Sequence, residues 1–355
     1  MADVLRVLDA SDPGGRQEWG DRWRSWPERE PMAHPAYVSL FTRPGDRAVC
    51  AVAGDGAAGV LYPFVLRPLA LEPWAGPGEA RWDATTPYGY GGPFAWGDAS
   101  GIAGPFWDQL ERWFLASRVV SSFARLSLFP EQLAEFRGEV SVNMPNVVRR
   151  LDLPAEAVWR DYAHKVRKNV NTARRAGLSV EFDTAGNHLD EFLAIYESTM
   201  DRRNAAEGFY FSRTFFETIV RELRGSFAFA HVRAGERIVS TELVLRSARH
   251  LYSFLGGTLA DAFEMRPNDL LKHSIVEWGI GEGLSAFVLG GGYGGPDGIF
   301  KYKLAFAPQG EVPFRTGRAI HDAASYAQLV DARRAHEGKS GTWTPRESHF
   351  PAYRA

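Results

Sequence analysis

The sequence predicts an α/β (α+β) fold in which one structural unit occurs twice, each copy a mixed, twisted sheet flanked by helices. Three observations support this prediction. The chain has 355 residues, a length that suits two domains better than one. Apolar residues make up 45% of it, enough for a sizeable core. The order β-hairpin, glycine-rich bend, helix and strand can also be read in both halves.

The first copy begins with a β-hairpin over 48–67, where apolar runs flank a glycine-containing turn. A glycine-rich bend over 86–93 follows. Apolar residues at helical spacing then predict a helix over 106–118, and 122–129 predicts the closing strand. Three turn glycines are expected to supply positive φ angles: Gly54, Gly56 and Gly59.

The second copy has the same order. It comprises a hairpin over 227–246, a bend over 251–257, a helix over 269–282 capped by Asn268, and a strand over 285–290. Such an order can arise by chance in α/β chains. The equal hairpin lengths and a shared Val-Leu-Arg ending favour a true duplication.

Composition excludes several classes of protein. A net charge of -2 excludes a uniformly basic nucleic-acid-binding protein, although it allows local basic patches. The single cysteine, Cys50, cannot form an internal disulfide and indicates a reducing compartment. The sequence shows neither a signal peptide nor a long apolar run, so we expect a cytoplasmic protein without a membrane span.

A basic amphipathic helix is predicted over 160–175, with Gly177 at its C-terminal end. Its outer face is suited either to solvent or to the phosphates of RNA. The candidate RNA-binding residues are Lys165, Arg167, Lys168, Arg174 and Arg175.

Three segments in order, 83–93, 164–177 and 298–306, resemble the Fem-type aminoacyltransferases of peptidoglycan bridges and their GNAT-like relatives. The resemblance implies two tandem GNAT-like domains. The first, on the acceptor side, would span 1–148 and be completed by 311–355, and the second would span 149–310. It also implies aminoacyl-tRNA as co-substrate, no bound cofactor, and a small-molecule or peptide-like amine as acceptor, such as a cell-wall or natural-product precursor.

The resemblance assigns the loop over 86–93 to the acceptor pocket. Asp83 is then a candidate to bind or deprotonate the acceptor amine, and Tyr88, Tyr90 and Gly91 are candidates to contact the acceptor. A tight turn with packed tyrosines is the alternative interpretation.

The glycine-rich run 290–298 predicts a backbone able to hold an anion, with Gly291 and Tyr293 as contacts. Lys301 and Lys303 are predicted on one side of a following strand, with Tyr302 on the other. The family carries a lysine in a similar setting, implicated in binding phosphate or the oxyanion. We favour Lys303 and keep Lys301 as the alternative, although both could simply solubilise an edge strand.

Further substrate-binding candidates come from an arginine pair, an aromatic loop and the second bend: Arg202, Arg203, Tyr210, Tyr252 and Gly257. No metal site is predicted, because His273 and Glu277 lack a second histidine. The pyrophosphate-binding signature of acyl-CoA enzymes is missing, so acyl-CoA is the alternative donor. A non-catalytic RNA- or precursor-binding protein is an alternative from another class.

Overall fold

The computed structural model describes residues 5–292, 297–338 and 349–355. The chain divides into two compact units. The first consists of Met1–Asn143 with Phe314–Ala355, and the second of Met144–Pro313. The sequence-based boundaries, at 148 and 311, differ from these by a few residues.

The described residues form both strands and helices. The strands are β1 (Arg6–Asp9), β2 (Arg47–Gly54), β3 (Gly59–Pro68), β4 (Trp82–Thr85), β5 (Phe94–Trp96), β6 (Val119–Arg125), β7 (Glu139–Arg150), β8 (Ser179–Asp183), β9 (Phe227–Ala234), β10 (Arg237–Arg246), β11 (His250–Thr258), β12 (Ala286–Gly290) and β13 (Glu311–Ile320). The helices are α1 (Pro13–Ser25), α2 (Pro35–Ser39), α3 (Ser100–Ala116), α4 (Ala155–Asp161), α5 (His164–Arg175), α6 (Leu189–Arg203), α7 (Arg213–Glu222), α8 (Pro267–Gly281), α9 (Gly298–Leu304) and α10 (Ala323–Glu337).

The predicted repeat is confirmed by the strand pairing. In the first unit the sheet order is β1-β2-β3-β4-β6, and in the second it is β8-β9-β10-β11-β12. Within each series the first three pairs are antiparallel and the last pair, β4 with β6 or β11 with β12, is parallel. The repeat begins earlier than predicted, because a strand and two helices precede each hairpin. The predicted bend over 251–257 is wrong, since these residues belong to β11.

The hairpin of β2 and β3 needs glycine at one position for its backbone angle. Gly54 has a φ of +91°, and a Cβ there would lie 2.3 Å from the carbonyl oxygen of Ala58. The prediction of positive φ is wrong for Gly56 and Gly59, which are not among the positive-φ glycines. Gly59 has a packing role instead, because a Cβ would lie 2.6 Å from the Trp96 ring.

Each unit has a core between its sheet and its helices. In the second unit, Val166 and Val170 of α5 join Leu271 and Ile275 of α8 in one buried cluster. In the first unit the cluster includes the apolar face of α3, and Cys50 is buried in a neighbouring cluster. Many of the abundant aromatic rings are buried in these cores. No helix among the described residues has the length and apolar character needed to cross a bilayer.

Candidate functional site

A cleft of about 860 Å³ opens in the second unit beside β11. Within the described residues, β11 pairs with β12 only over His250–Tyr252. The later residues of β11, Ser253 to Thr258, instead line the cleft together with the start of α8 and part of α9. The residues of β11 that are not paired with β12 therefore border a space that a ligand could occupy.

The first turn of α8 forms one side of this cleft. Arg266 precedes the helix with a φ of 60°, and Pro267 starts it. The predicted cap Asn268 is therefore inside the helix, so that prediction is wrong. Asp269 is buried in the first turn and receives a hydrogen bond from Asn169 at 3.3 Å. Burial raises the pKa of the Asp269 carboxyl.

Lys303 lies on a helix rather than on the predicted strand. Helix α9 starts where the Asp297 carboxylate accepts a hydrogen bond from the Phe300 N–H at 2.8 Å. Consequently Lys301 and Lys303 do not share one strand face. Lys303 lines the cleft, and its Nζ donates to the Gly291 carbonyl at 2.7 Å. Lys301 is exposed and is not part of the lining.

The ammonium of Lys303 is destabilised by its surroundings. Burial is the main cause, and the charge of Lys272 adds to it, whereas Glu242 and Asp297 oppose the effect. The net result lowers the pKa of Lys303 to about 8. A lysine with such a pKa can hold a proton at neutral pH and also release it, which suits proton transfer.

A buried ion pair also contributes to the cleft, and sequence reasoning missed it. Lys272 of α8 donates to Glu242 of β10 at 2.6 Å and to the Ser253 hydroxyl at 2.7 Å. The two charged side chains are 8% and 5% exposed. A signal was present, because each charge interrupts an apolar pattern, Glu242 in a strand and Lys272 on a buried helix face.

Several predicted substrate-binding residues are brought to the same cleft. Arg202 and Arg203 of α6 line it, and the Arg202 guanidinium lies 5.0 Å from the Phe263 ring centre. Gly257 lines it too, and a Cβ there would lie 2.4 Å from the Thr199 hydroxyl oxygen. Gly257 therefore permits the close approach of β11 and α6.

Two other predicted residues do not line the cleft. Tyr252 is buried in β11, only 2% exposed. Tyr210 is 43% exposed and donates to Asp201 at 3.1 Å. Tyr293 lies outside the described residues. Gly291 reaches the cleft through its carbonyl contact with Lys303.

The charge balance of the cleft favours an anionic ligand. Its lining contains five basic side chains and three acidic ones. The basic residues are Arg202, Arg203, Arg266, Lys272 and Lys303, and the acidic ones are Glu242, Asp269 and Asp297. Because Lys272 and Glu242 neutralise each other, the arginines and Lys303 set the field that a ligand meets.

The basic segment forms two helices, α4 and α5, rather than one. Gly177 follows α5 with a φ of +73° and ends it as predicted. Lys165, Lys168 and Arg175 are exposed. Two of the predicted RNA-binding residues are engaged within the unit. Arg167 donates to the carbonyls of residues 160 and 162, and Arg174 bonds His273 at 3.0 Å.

Asp83 lies in the first unit, where its carboxylate is fully buried. Arg67 donates to one oxygen at 2.7 Å, and Arg354 near the C-terminus donates to the other. Arg354 also pairs with Glu72. Because both oxygens of Asp83 accept from arginines, its surroundings are those of a structural ion pair, not those expected for a base that meets an acceptor amine.

The predicted glycine-rich loop is closely packed against β6. The Gly91 N–H donates to the Arg125 carbonyl, and the Gly91 carbonyl accepts from Ser127, each at 2.8 Å. Tyr88 is 51% exposed, whereas Tyr90 is partly buried with its ring 5.8 Å from that of Phe314. The loop thus combines the packed turn of the alternative interpretation with one half-exposed ring.

Comparison with known families identifies the unit that holds the cleft. Residues 160–304 match the family described as acetyltransferase (GNAT) domain. This segment is therefore similar to a GNAT acetyltransferase domain. All residues that line the cleft, from Thr199 to Lys303, lie inside the matched segment of this GNAT domain. No curated protein matches the sequence significantly.

Solved structures extend the likeness beyond the GNAT domain. FemX has a TM-score of 0.65 at 12% identity, covering 88% of this chain and 98% of its own. The C-terminal domain of a putative lysylphosphatidylglycerol synthetase from Agrobacterium fabrum has a TM-score of 0.56 at 15% identity, covering 90% and 97%. L-PGS from Bacillus licheniformis has a TM-score of 0.55 at 14% identity, covering 87% and 92%. At these identities the likeness shows the fold alone, which is shared with FemX and the other two structures.

Proposed function

We propose that the protein is a Fem-type N-acyltransferase that moves an aminoacyl group from aminoacyl-tRNA to an amine and forms an amide. The observation that carries this proposal is the cationic cleft of the GNAT domain, with Lys303 in its lining. An aminoacyl ester is already activated, so the protein needs only to position the amine, stabilise the oxyanion and move one proton.

The steps of aminoacyl transfer can be assigned to residues of this cleft. The neutral amine attacks the ester carbonyl carbon, and the C–N bond forms while the oxygen takes the electron pair. The Lys303 ammonium stabilises that oxyanion. When the C–O bond to the ribose breaks, Glu242 takes the proton lost by nitrogen. The ribose oxygen leaves with a proton from Lys303, which Glu242 then replaces.

Glu242 suits this step because a neighbouring group holds it in place. The hydrogen bond from Lys272 to one carboxylate oxygen fixes the side chain, and Ser253 fixes Lys272 in turn. Lys303 and Glu242 also interact electrostatically, and the Glu242 charge favours the ammonium form of Lys303. Lys272 is a positioning residue in this scheme.

The basic face of α5 supports a tRNA donor. Helix α5 contacts the side of the cleft through the hydrogen bond from Asn169 to Asp269. The positive charge of Lys165 acts on the same carboxylate. The exposed Lys165 and Lys168 could therefore contact phosphates of an RNA whose 3′ end enters the cleft.

The first turn of α8 disfavours acyl-CoA. Helix N-termini bind diphosphates through free N–H groups and a positive dipole. Here Pro267 contributes no N–H, and the carboxylate of Asp269 occupies the first turn. Both features weaken the attraction for a pyrophosphate. Acyl-CoA remains the second candidate donor, because the family that matches residues 160–304 is described as an acetyltransferase domain.

A transfer assay tests the proposal. Total tRNA charged with labelled amino acids would be incubated with the protein and a panel of small amines and lysine-containing peptides. We expect a labelled amide that disappears when RNase precedes the reaction. The acceptor in this proposal is a peptide-like, cell-wall-precursor or natural-product amine. Amide formation that survives RNase and requires acetyl-CoA would replace the tRNA donor by acyl-CoA.

A further inference from the structure

Within the part of the chain that the structure describes, the side chain of Arg125, at the end of β6, has no acidic partner. Its backbone is fixed, because its N–H donates to the Thr86 hydroxyl at 2.8 Å and its carbonyl accepts from Gly91 at 2.8 Å. Among the described residues, the guanidinium makes one hydrogen bond, to the Thr86 carbonyl at 3.3 Å, and no ion pair. It also lies 5.3 Å from the centre of the Phe123 ring.

No carboxylate of the described residues compensates the positive charge of Arg125. Burial and the nearby charge of Arg67 lower the pKa of Arg125, and only the hydroxyl groups of Tyr88 and Tyr37 oppose them. Arg67 already binds the fully buried Asp83. That carboxylate accepts from Arg354 as well, so it is not available to neutralise Arg125.

A partly buried guanidinium without a counter-charge destabilises a folded protein. Its planar fork matches the two oxygens of a carboxylate or a phosphate. Aromatic rings accompany the fork. Tyr88 is 51% exposed, its ring is 6.1 Å from that of Phe41, and Phe123 packs beneath Arg125. These rings would favour an anion attached to a flat or apolar body.

We propose that Arg125 is the anchor of an oxyanion-binding site in the first unit, formed with the glycine-rich loop over 86–92 and the rings of Tyr88 and Phe123. Its ligand is a carboxylate or a phosphate group. In the proposed transferase this group belongs to the acceptor, which is then an acidic amine. That last assignment rests on the proposed function, whereas the binding site does not.

The binding test uses thermal unfolding at constant ionic strength with three anions, each compared with chloride. Inorganic phosphate represents the phosphate source, acetate the carboxylate, and benzoate a carboxylate on a flat ring. We expect at least one anion to raise the Tm of the wild-type protein by about 2–4 °C near saturation. The rise should vanish in Arg125→Met and shrink in Arg125→Lys, which keeps the charge and loses the fork.

The variant Arg81→Met is the matched control, since Arg81 is an arginine of the same unit already paired with Glu79. Its anion response should equal that of wild type. Without anion, Arg125→Met should unfold at or above the wild-type Tm, because it removes an unpaired charge. The site is refuted if no anion acts through Arg125, or if Arg125→Met lowers the Tm as a structural residue would.

Measuring KM for acidic and neutral acceptors distinguishes the binding site from its proposed role in the reaction. With an active acceptor found in the transfer assay, Arg125→Met should raise KM for acidic acceptors at least tenfold and leave KM for neutral amines within about twofold. Anion binding without this KM change would retain the site and refute its assignment to the acceptor. If the wild-type protein shows no transfer activity, the proposed transferase function is refuted. The anion-dependent rise in Tm would still support the binding site.

Discussion

Lys272 and Glu242 form a buried ion pair in the lining of the cleft, with Nζ donating to Oε1 at 2.6 Å. The two residues lie 30 positions apart, one on α8 and one on β10. The pair holds the start of α8 against the sheet and fixes a carboxylate close to Lys303.

Breaking this pair should destabilise the second unit. Lys272→Met leaves the Glu242 carboxylate buried without a partner, which costs about 3–5 kcal/mol in the free energy of unfolding. The double variant Lys272→Met/Glu242→Gln should recover a large part of that loss. Denaturant titration measures both. The exposed pair of Arg246 and Glu282 is the control, and breaking it should cost about 1 kcal/mol or less. Equal losses at the two pairs would contradict this account.

The two candidate lysines should differ sharply in their effect on activity. Lys303→Ala removes the cation that stabilises the oxyanion and should lower kcat about 100-fold or more. Lys301→Ala should stay within about threefold of wild type, because Lys301 is exposed and does not line the cleft. Single-turnover transfer rates would distinguish the two variants. A larger loss of rate in Lys301→Ala than in Lys303→Ala would assign the oxyanion-stabilising role to Lys301.

Lys303 should also set the alkaline limit of activity. The mechanism needs the ammonium form, and the pKa of Lys303 is lowered to about 8, so kcat/KM should fall as the pH rises through that value. The Lys272 charge contributes to the shift. A profile that stays flat up to pH 10 would contradict the role of the ammonium.

The contribution of Lys303 to the free energy of unfolding should rise with pH, whereas kcat/KM should fall. The pKa of Lys303 is 10.5 in its ordinary state and about 8 in the folded protein. Between these values the unfolded chain binds more protons than the folded one, so the free energy of unfolding rises with pH. The destabilisation that the buried Lys303 ammonium causes at lower pH therefore disappears. Lys303→Met should therefore be more stable than wild type at pH 7, and the difference should shrink from pH 8 to pH 10. Denaturant titrations at the three pH values measure it.

The Asp83 network should act on stability more than on turnover. Asp83→Asn leaves Arg67 and Arg354 without their full counter-charge and should lower Tm by several degrees. Removing residues 349–355 takes away Arg354 and should do the same. The two changes should be less than additive, because they break one network. A Tm equal to wild type with a raised KM for the acceptor would restore Asp83 as an acceptor residue.

Much of the fold could be predicted because local sequence patterns determine its hairpins and several of its helices. The hairpins of both units, the helix α5 and its glycine end follow from periodicity and turn chemistry. Helix α9 was missed because Lys301 and Lys303 alternate like strand residues. The decisive signal was instead Asp297, whose side chain caps the N–H of Phe300. A seven-residue helix offers too little periodicity to outweigh that alternation.

The site could be predicted only in part, because its key contacts join distant residues. Lys303 and the arginine pair stood out as isolated motifs. The partner of Asp83 is Arg354, which lies 271 positions away, and no local pattern links them. That no carboxylate of residues 5–292, 297–338 and 349–355 pairs with Arg125 is equally invisible in a sequence, since it depends on which carboxylates the fold brings near.

In the proposed reaction, the cleft around Lys303 receives a charged tRNA. The most direct measurement is equilibrium binding of total aminoacyl-tRNA, uncharged tRNA and acetyl-CoA to wild type and to Lys303→Ala. We expect saturable, salt-sensitive binding of aminoacyl-tRNA that weakens about tenfold in the variant, and no saturable micromolar binding of acetyl-CoA. Micromolar binding of acetyl-CoA, with aminoacyl-tRNA bound no better by wild type than by the variant, would contradict it.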